Sequence, residues 1–449
     1  MKNNNSTNSV ETEKFAPGPV DFFNFWENPL TFFTNVVKEH GDLVCLDPDK
    51  HQIYLLNNPD DIKHVLQDNY HNYKNDSDAF KLVIGNGLAA SEGELWLRQR
   101  RIMQPAFHHR NLETMGDSIT NITMRFMQNL QISTNKNIDA LAEITELTTN
   151  ISASTMFGAD IQNETKLLSQ ALNTAQEYVY YHGWDFDEKF QKEPSLEDAQ
   201  FQEALSTIDR IVYRIINERQ KDNRQNKNDL LAMLLQSFDE KTGERMSEKQ
   251  LRDEVVTMLA GGQSTTAIAL VWILYILSIH PDAENRLYEE IIQVVGQRHP
   301  TFQDLPNLVY TRMIINEVLR LYPPSWLTTR RSIEKDQIGG YHIPKNSQIL
   351  ISSYLVHRHP NFWENPERFD PERFSASRST ERPHFAYIPF SGGARICIGN
   401  RFAIMVIELV LVMIVQTYRL VLPSKQSVQP EPHILLEPKD RLLIQIQKR

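Results

Sequence analysis

Phe390-Ser-Gly-Gly-Ala-Arg-Ile-Cys-Ile-Gly399 decides how this chain is to be read, because it gives one of only two cysteines a setting that a buried structural thiol does not need. A lone cysteine is usually a small buried hydrophobe. Here the neighbours argue otherwise. Gly393 and Gly399 flank Cys397 where a loop wrapped around a metal needs backbone angles or close approaches that a Cβ obstructs. Arg395 adds a cation two residues before the sulfur. The loop then runs into a helical stretch, Asn400 to Gln416, whose start favours an anionic sulfur. Phe390, Gly393, Arg395, Cys397 and Gly399 spell FxxGxRxCxG, which average residue usage produces on the order of once in ten thousand chains of this length.

The loop continues Gly399-Asn-Arg-Phe-Ala403 and on to Glu408, and the whole stretch resembles the signature of the cytochrome P450 family, the haem-thiolate monooxygenases. The resemblance implies a mainly α fold with a long central helix over the haem and small β-sheets. It implies haem b as cofactor, with Cys397 as the iron ligand inside a loop shaped by Phe390, Gly393, Arg395 and Gly399. A thiolate ligand pushes electron density onto haem iron and favours O–O cleavage, and backbone N–H groups aimed at the sulfur tune that push.

Other segments match the family in chain order. Trp96 and Arg100 lie four apart in Leu95-Trp-Leu-Arg-Gln-Arg100 and so share a helical face. The family's WxxxR pattern uses that face to hold a haem propionate. Glu317-Val-Leu-Arg320 places an acid and a base three apart on a helix that Pro323-Pro324 ends, and Pro371-Glu-Arg-Phe374 follows as the family's PERF segment. Glu317, Arg320 and Arg373 are then expected to form a buried ionic cluster with a structural role. In Leu327-Thr-Thr-Arg330-Arg331 the family register makes Arg330 the second propionate arginine, with Arg331 as the alternative, because strand register is not fixed by sequence. Ser325 to Thr329 and His433 to Leu436 are expected to border the substrate.

Ser247-Glu-Lys-Gln250 has capping-box spacing, and a long helix is predicted from about Lys249 to Ile279, before His280-Pro281. Gly261-Gly-Gln-Ser-Thr-Thr266 weakens its middle, which suggests a functional kink. With Trp272 and Tyr275 in the family's aromatic positions, Thr265 falls on the oxygen-site threonine and Ser264 on the place of the usual Asp or Glu. A one-residue shift would put Gln263 and Ser264 there instead. Ser264 cannot serve as a titrating acid, so protons are expected through water, Gln263 or the substrate.

Length, composition and charge bound the rest. The 449 residues, 41% hydrophobic and 23% charged, supply a large core, and the net charge of −10 argues against nucleic acid as partner. Two cysteines give no disulfide framework and fit a reducing, cytoplasmic setting; Cys45 reads as a strand residue. Met1 to Lys14 is polar and reads as a disordered lead, with residues 15–449 as one domain. The longest apolar run, Phe402 to Val415, reads as too short to span a membrane. Asn75 to Glu94, with Gly85, Gly87 and Gly93, reads as a mobile loop at the family's substrate-pocket roof.

The expected function is insertion of one atom of O₂ into a hydrophobic organic substrate. Only 52 residues follow Cys397, so electrons are expected from a separate partner, a ferredoxin or flavodoxin with its reductase, and ultimately from NAD(P)H. Arg98, Arg100, Arg101 and Arg110 stand in an acid-free segment that would steer an acidic partner. The alternatives are a thiolate-haem isomerase or peroxygenase, and a non-catalytic haem-binding sensor. Thr265 favours the monooxygenase, because neither rival needs a proton-delivering alcohol.

Overall fold

Two helices run through the centre of the molecule because their sequences leave them no wet face. Glu248–Ile279 and Asn400–Thr417 are both long and apolar enough to cross a membrane, yet 78% and 72% of their most apolar windows are buried inside the protein. A helix apolar all round must be covered on every side, and here other helices do the covering. The run Phe402 to Val415, read as too short to span, lies in the second of the two, which is long and apolar enough by length and composition. This computed structural model describes residues 16, 25, 28–47, 52–131, 137–182, 195–221, 229–238, 243, 245–423 and 427–449. The polar lead 1–14 lies outside the described residues.

Ser247 caps the central helix, its Oγ accepting the Gln250 N–H at 3.1 Å. The return half of the capping box is absent: the Gln250 side chain donates instead to Glu254 Oε1 at 2.9 Å and to the Asn86 carbonyl at 3.3 Å. The helix then runs on without a break in its assignment to Ile279. Gly262 has a packing reason. A Cβ there would lie 2.7 Å from Ser152 Oγ on the helix Ala140–Phe157, so the missing side chain lets the two helices approach. Thr265 Oγ1 donates to the Gly261 carbonyl at 2.6 Å, a back-bond that helices absorb without breaking.

A five-stranded sheet packs against the helix Pro29–His40 in the order Leu43–Asp47, Ile53–Leu56, Gln348–Ser352, Leu327–Ser332, Tyr73–Asn75. All its pairs are antiparallel except Ile53–Leu56 with Gln348–Ser352. Cys45 is buried in its first strand, as the sequence suggests.

The segment 75–94 is ordered, against expectation. Asp78–Phe80 and Lys81–Ile84 form short helical turns, and the backbone from Asn86 to Leu88 is clasped to the first turns of the central helix. Asn86 N–H donates to Asp253 Oδ2 at 3.0 Å and Leu88 N–H to Glu254 Oε2 at 2.9 Å. A Cβ at Gly85 would sit 2.3 Å from the Asp253 carboxylate, and one at Gly87 would sit 1.9 Å from Thr257 Oγ1. These glycines permit close approach rather than mobility.

Candidate active site

The cysteine loop is folded by its own backbone. Cys397 N–H donates to the Phe390 carbonyl at 3.0 Å, and Gly393–Arg395 makes a single 3₁₀ turn between them. Gly393 is required: its φ is 66°, and a Cβ would fall 1.7 Å from the Leu66 carbonyl oxygen. Gly399 is not, because its φ is −90° and a Cβ would meet only Phe107, at 3.9 Å. No protein atom crowds this position. Gly392, which sequence reasoning passed over, is the second tight position, 2.6 Å from the Phe385 ring.

Cys397 is accessible, yet enough protein surrounds it that burial pushes its thiol up, against the pull of the Gly399 N–H and the Arg100 guanidinium. Among the described residues no group of three or more His, Cys, Asp or Glu forms a metal site, so an iron held by Cys397 must take its other ligands from a cofactor.

The arginines near this loop divide into paired and unpaired. Arg395 donates to Glu92 Oε2 at 2.5 Å and to the Ser91 carbonyl at 3.0 Å, and its guanidinium lies 4.3 Å over the Trp96 ring. Arg100, one turn beyond Trp96 on the helix Gly93–Met103, donates from Nη1 to the Ile396 carbonyl at 2.8 Å, next to Cys397. Arg330 is only 8% exposed and donates from Nη1 to the Thr329 carbonyl at 2.8 Å. Neither Arg100 nor Arg330 pairs with a carboxylate among the described residues. Burial brings Arg330 down to about 10, with repulsion from Arg395 adding to it. Buried cations without counterions are costly. Arg330, buried and drawn on only at a distance by Glu92, and half-buried Arg100, whose charge acts on the Cys397 thiol, fit a ligand that brings metal and two carboxylates together, as haem does. Glu92 is the residue that sequence reasoning missed here; its one signal was an acid standing just before an acid-free basic run.

On the central helix, Gly261 is exposed and Thr265 half-exposed between buried neighbours, which opens one face in mid-helix. Ser264 is turned elsewhere: it is buried and its Oγ accepts the Gln176 Nε2–H at 3.3 Å. Gln263 is fully buried and donates to Ser169 Oγ at 3.2 Å and Asn173 Oδ1 at 3.3 Å, away from the open face.

Glu317 and Arg320 are fully buried and joined by two hydrogen bonds of 2.7 and 2.8 Å. Arg373 Nε lies 3.4 Å from Glu317 Oε1, which also accepts the Asp370 N–H at 2.9 Å. Arg320 donates to the His357 carbonyl at 3.0 Å, and Trp363 is flanked by Arg382 at 3.8 Å and Arg320 at 5.0 Å. His357, Trp363 and Arg382 were not anticipated, since nothing local marks them.

Known proteins place this arrangement. The family model described as Cytochrome P450 matches residues 16–445. Cyclooctatin synthase of Streptomyces melanosporofaciens is 31% identical over 91% of this chain and 89% of its own. Pentalenene oxygenase of Streptomyces avermitilis is 30% identical over 92% of this chain and 93% of its own. In fold, the chain superposes on a crystal structure of a mutant cytochrome P450DA haem domain with a TM-score of 0.88, at 23% identity and over 98% of each chain. The family match over nearly the whole length, on a mainly helical fold with small sheets, makes this chain a member of the cytochrome P450 family, a haem-dependent monooxygenase acting on hydrophobic organic substrates.

Proposed function

We propose that the chain hydroxylates or otherwise oxygenates a cyclic, unsaturated hydrocarbon or its alcohol, with Cys397 as the ligand of haem b iron. The observation that carries the site reading is the pair of guanidinium groups, Arg100 and Arg330, that make no ion pair with a carboxylate among the described residues, with Arg100 bonded to the loop of the accessible Cys397. Haem held there supplies oxygen binding and the O–O cleavage that thiolate donation favours. Arg100 and Arg330 would take the propionates as charge-assisted forks, and Trp96 would offer its indole N–H. Phe390, Gly393 and Gly399 shape the loop, and Arg395, tied to Glu92, positions Trp96. Glu317, Arg320 and Arg373 hold the scaffold and take no part in chemistry.

Thr265 stands on the open face of the central helix, where its hydroxyl can hold a water and pass a proton. Support for the substrate class comes from relatives named for pentalenene and cyclooctat-9-en-7-ol, one a hydrocarbon with an alkene ending, the other an alkenol. Half-exposed Leu327, Thr328 and Thr329 would offer such a molecule one apolar and two hydroxyl-bearing side chains. Electrons would come from NAD(P)H through a reductase and an acidic ferredoxin or flavodoxin, docked in the cytoplasm at the face bearing Arg98, Arg101 and Arg110. Transfer that slows as salt rises and in Arg110→Glu supports this docking.

The substrate class is tested by titrating the haem-loaded protein with cyclic alkenes, cyclic alkenols and linear fatty acids, reading the low-spin to high-spin shift and then the products. Saturation by the cyclic compounds at lower concentrations, with a monohydroxylated or epoxidised product, is expected. Preference for linear acids would overturn the assignment.

A further inference from the structure

A half-polar cavity of about 100 Å³ lies among the central helix, the helices Ala140–Phe157 and Thr165–His182 and the hairpin formed by Pro430–Pro432 and Leu436–Pro438. Its buried end is the Ser264 hydroxyl, and its wall carries Gln176, Glu177 and Glu437. Glu177 is exposed and Glu437 half-buried, so the carboxyls mark the solvent end. A polar space of this size holds several hydrogen-bonded waters. Ser264 stands where the family resemblance expects a carboxylate, and two carboxylates from outside the helix share the cavity wall with it.

The Ser264 hydroxyl is arranged as a carrier. Gln176 donates to its Oγ, which occupies one lone pair and leaves the O–H and the second lone pair for water. Ser264 turns from the open face into the cavity but directly precedes Thr265 on the helix, so the two hydroxyl-bearing positions are only about a quarter-turn apart. Ile268 also lines the cavity, and Gly261 presents no side chain to block the open face: a Cβ there would meet nothing within 4 Å.

We propose that the protons this enzyme consumes enter through this cavity, with the Glu437 carboxyl as donor and cavity water and the Ser264 hydroxyl as carriers to the helix face bearing Thr265. This rests on the haem reading of Cys397. Glu437 gives its proton to a cavity water; Ser264 Oγ accepts a proton as it releases its own, and Glu437 is reprotonated from solvent at the cavity mouth. No electron moves in the relay. Glu437 is suited to the task, because burial and the neighbouring Glu177 carboxylate push it up to about 6. The other titratable groups lining the cavity are Tyr180 and Tyr181 from the same helix as Glu177, and His433 from the hairpin turn. Lys439, the nearest hairpin cation, is held by Glu431 at 3.5 Å, and the central helix and the helix Ala140–Phe157 add no titratable group to the wall.

Difference infrared spectra of the full-length protein, with and without haem, read the donor directly. An acid C=O band that titrates near pH 6, vanishes in Glu437→Gln and moves to lower pH in Glu177→Gln is expected. In the haem-loaded enzyme, Glu437→Gln is expected to lower product formed per NAD(P)H by at least about twofold, with the carbon-monoxide spectrum unchanged. A band that persists in Glu437→Gln, or coupling equal to wild type with an intact carbon-monoxide spectrum, overturns the proton route. A wild-type protein without a thiolate-type carbon-monoxide spectrum overturns the haem reading instead.

Discussion

Arg330 and Arg331 are neighbours on one strand with opposite fates. Arg331 donates to the Asp76 carboxylate at 2.7 and 3.3 Å, whereas Arg330 is buried with the Thr329 carbonyl as its partner. Successive side chains leave a strand on opposite faces, which separates the two guanidinium groups. The choice between them that sequence left open turns on which one still needs an anion. Arg330→Ala is expected to lower haem retained after desalting by about tenfold or more, the loss of a charge-assisted fork. Arg331→Ala is expected to leave haem content near wild type and to cost at most about 1 kcal/mol of stability. Equal haem loss in both variants would contradict the assignment.

The Glu317–Arg320 pair is sealed from water, so removing one partner strands the other. Glu317→Ala is expected to cost about 3–5 kcal/mol and to reduce the yield of folded protein whether or not haem is supplied. Denaturant unfolding of the variant checks it; a loss under about 1 kcal/mol would mean that water reaches Arg320.

Glu254 ties the segment 75–94 to the central helix and makes that tie sensitive to pH. Burial pushes its carboxyl up to about 7 from a reference of 4.5, with Asp253 adding to it and the Leu88 N–H and Gln250 pulling the other way. A raised carboxyl stabilises the fold fully below its unfolded value and loses that contribution as pH rises through its folded value. Wild-type thermal stability is therefore expected to fall between about pH 5 and pH 8 more steeply than that of Glu254→Gln, measured by calorimetry. Part of the slope should persist in the variant, because Glu437 is also raised. Parallel curves would place Glu254 in contact with solvent.

Thr265 and Ser264 are adjacent but face different surroundings, an open helix face and a solvent-linked cavity. Thr265→Ala is expected to divert reducing equivalents to hydrogen peroxide, and Ser264→Ala to do so less, since a water can take the place of its hydroxyl. Product formed per NAD(P)H consumed decides it. The reverse order would move the register by one residue.

What was legible in the sequence was what local spacing carries. The cysteine loop, the Glu317–Arg320 pair and the start and end of the central helix all rest on residues a few positions apart. What was not legible depends on contacts across the chain. Gly85 and Gly87 read as loop flexibility until Asp253 and Thr257, far along the sequence, fill the space over them. Gly262 read as a weak point until Ser152 occupied the place of its Cβ, and Gly399 read as a steric requirement that no neighbour imposes. Local pattern identifies a glycine as unusual, but only packing says which of its properties is used.

The central claim is that Cys397 is the ligand of haem iron through its thiolate, and its most direct measurement is the absorption spectrum of the reduced, carbon-monoxide-treated protein. The expected result is the strongly red-shifted Soret band of thiolate ligation in the wild type and its absence in Cys397→Ala. A band typical of histidine ligation in the intact, freshly reconstituted wild type, or a red-shifted band that survives in Cys397→Ala, would contradict it.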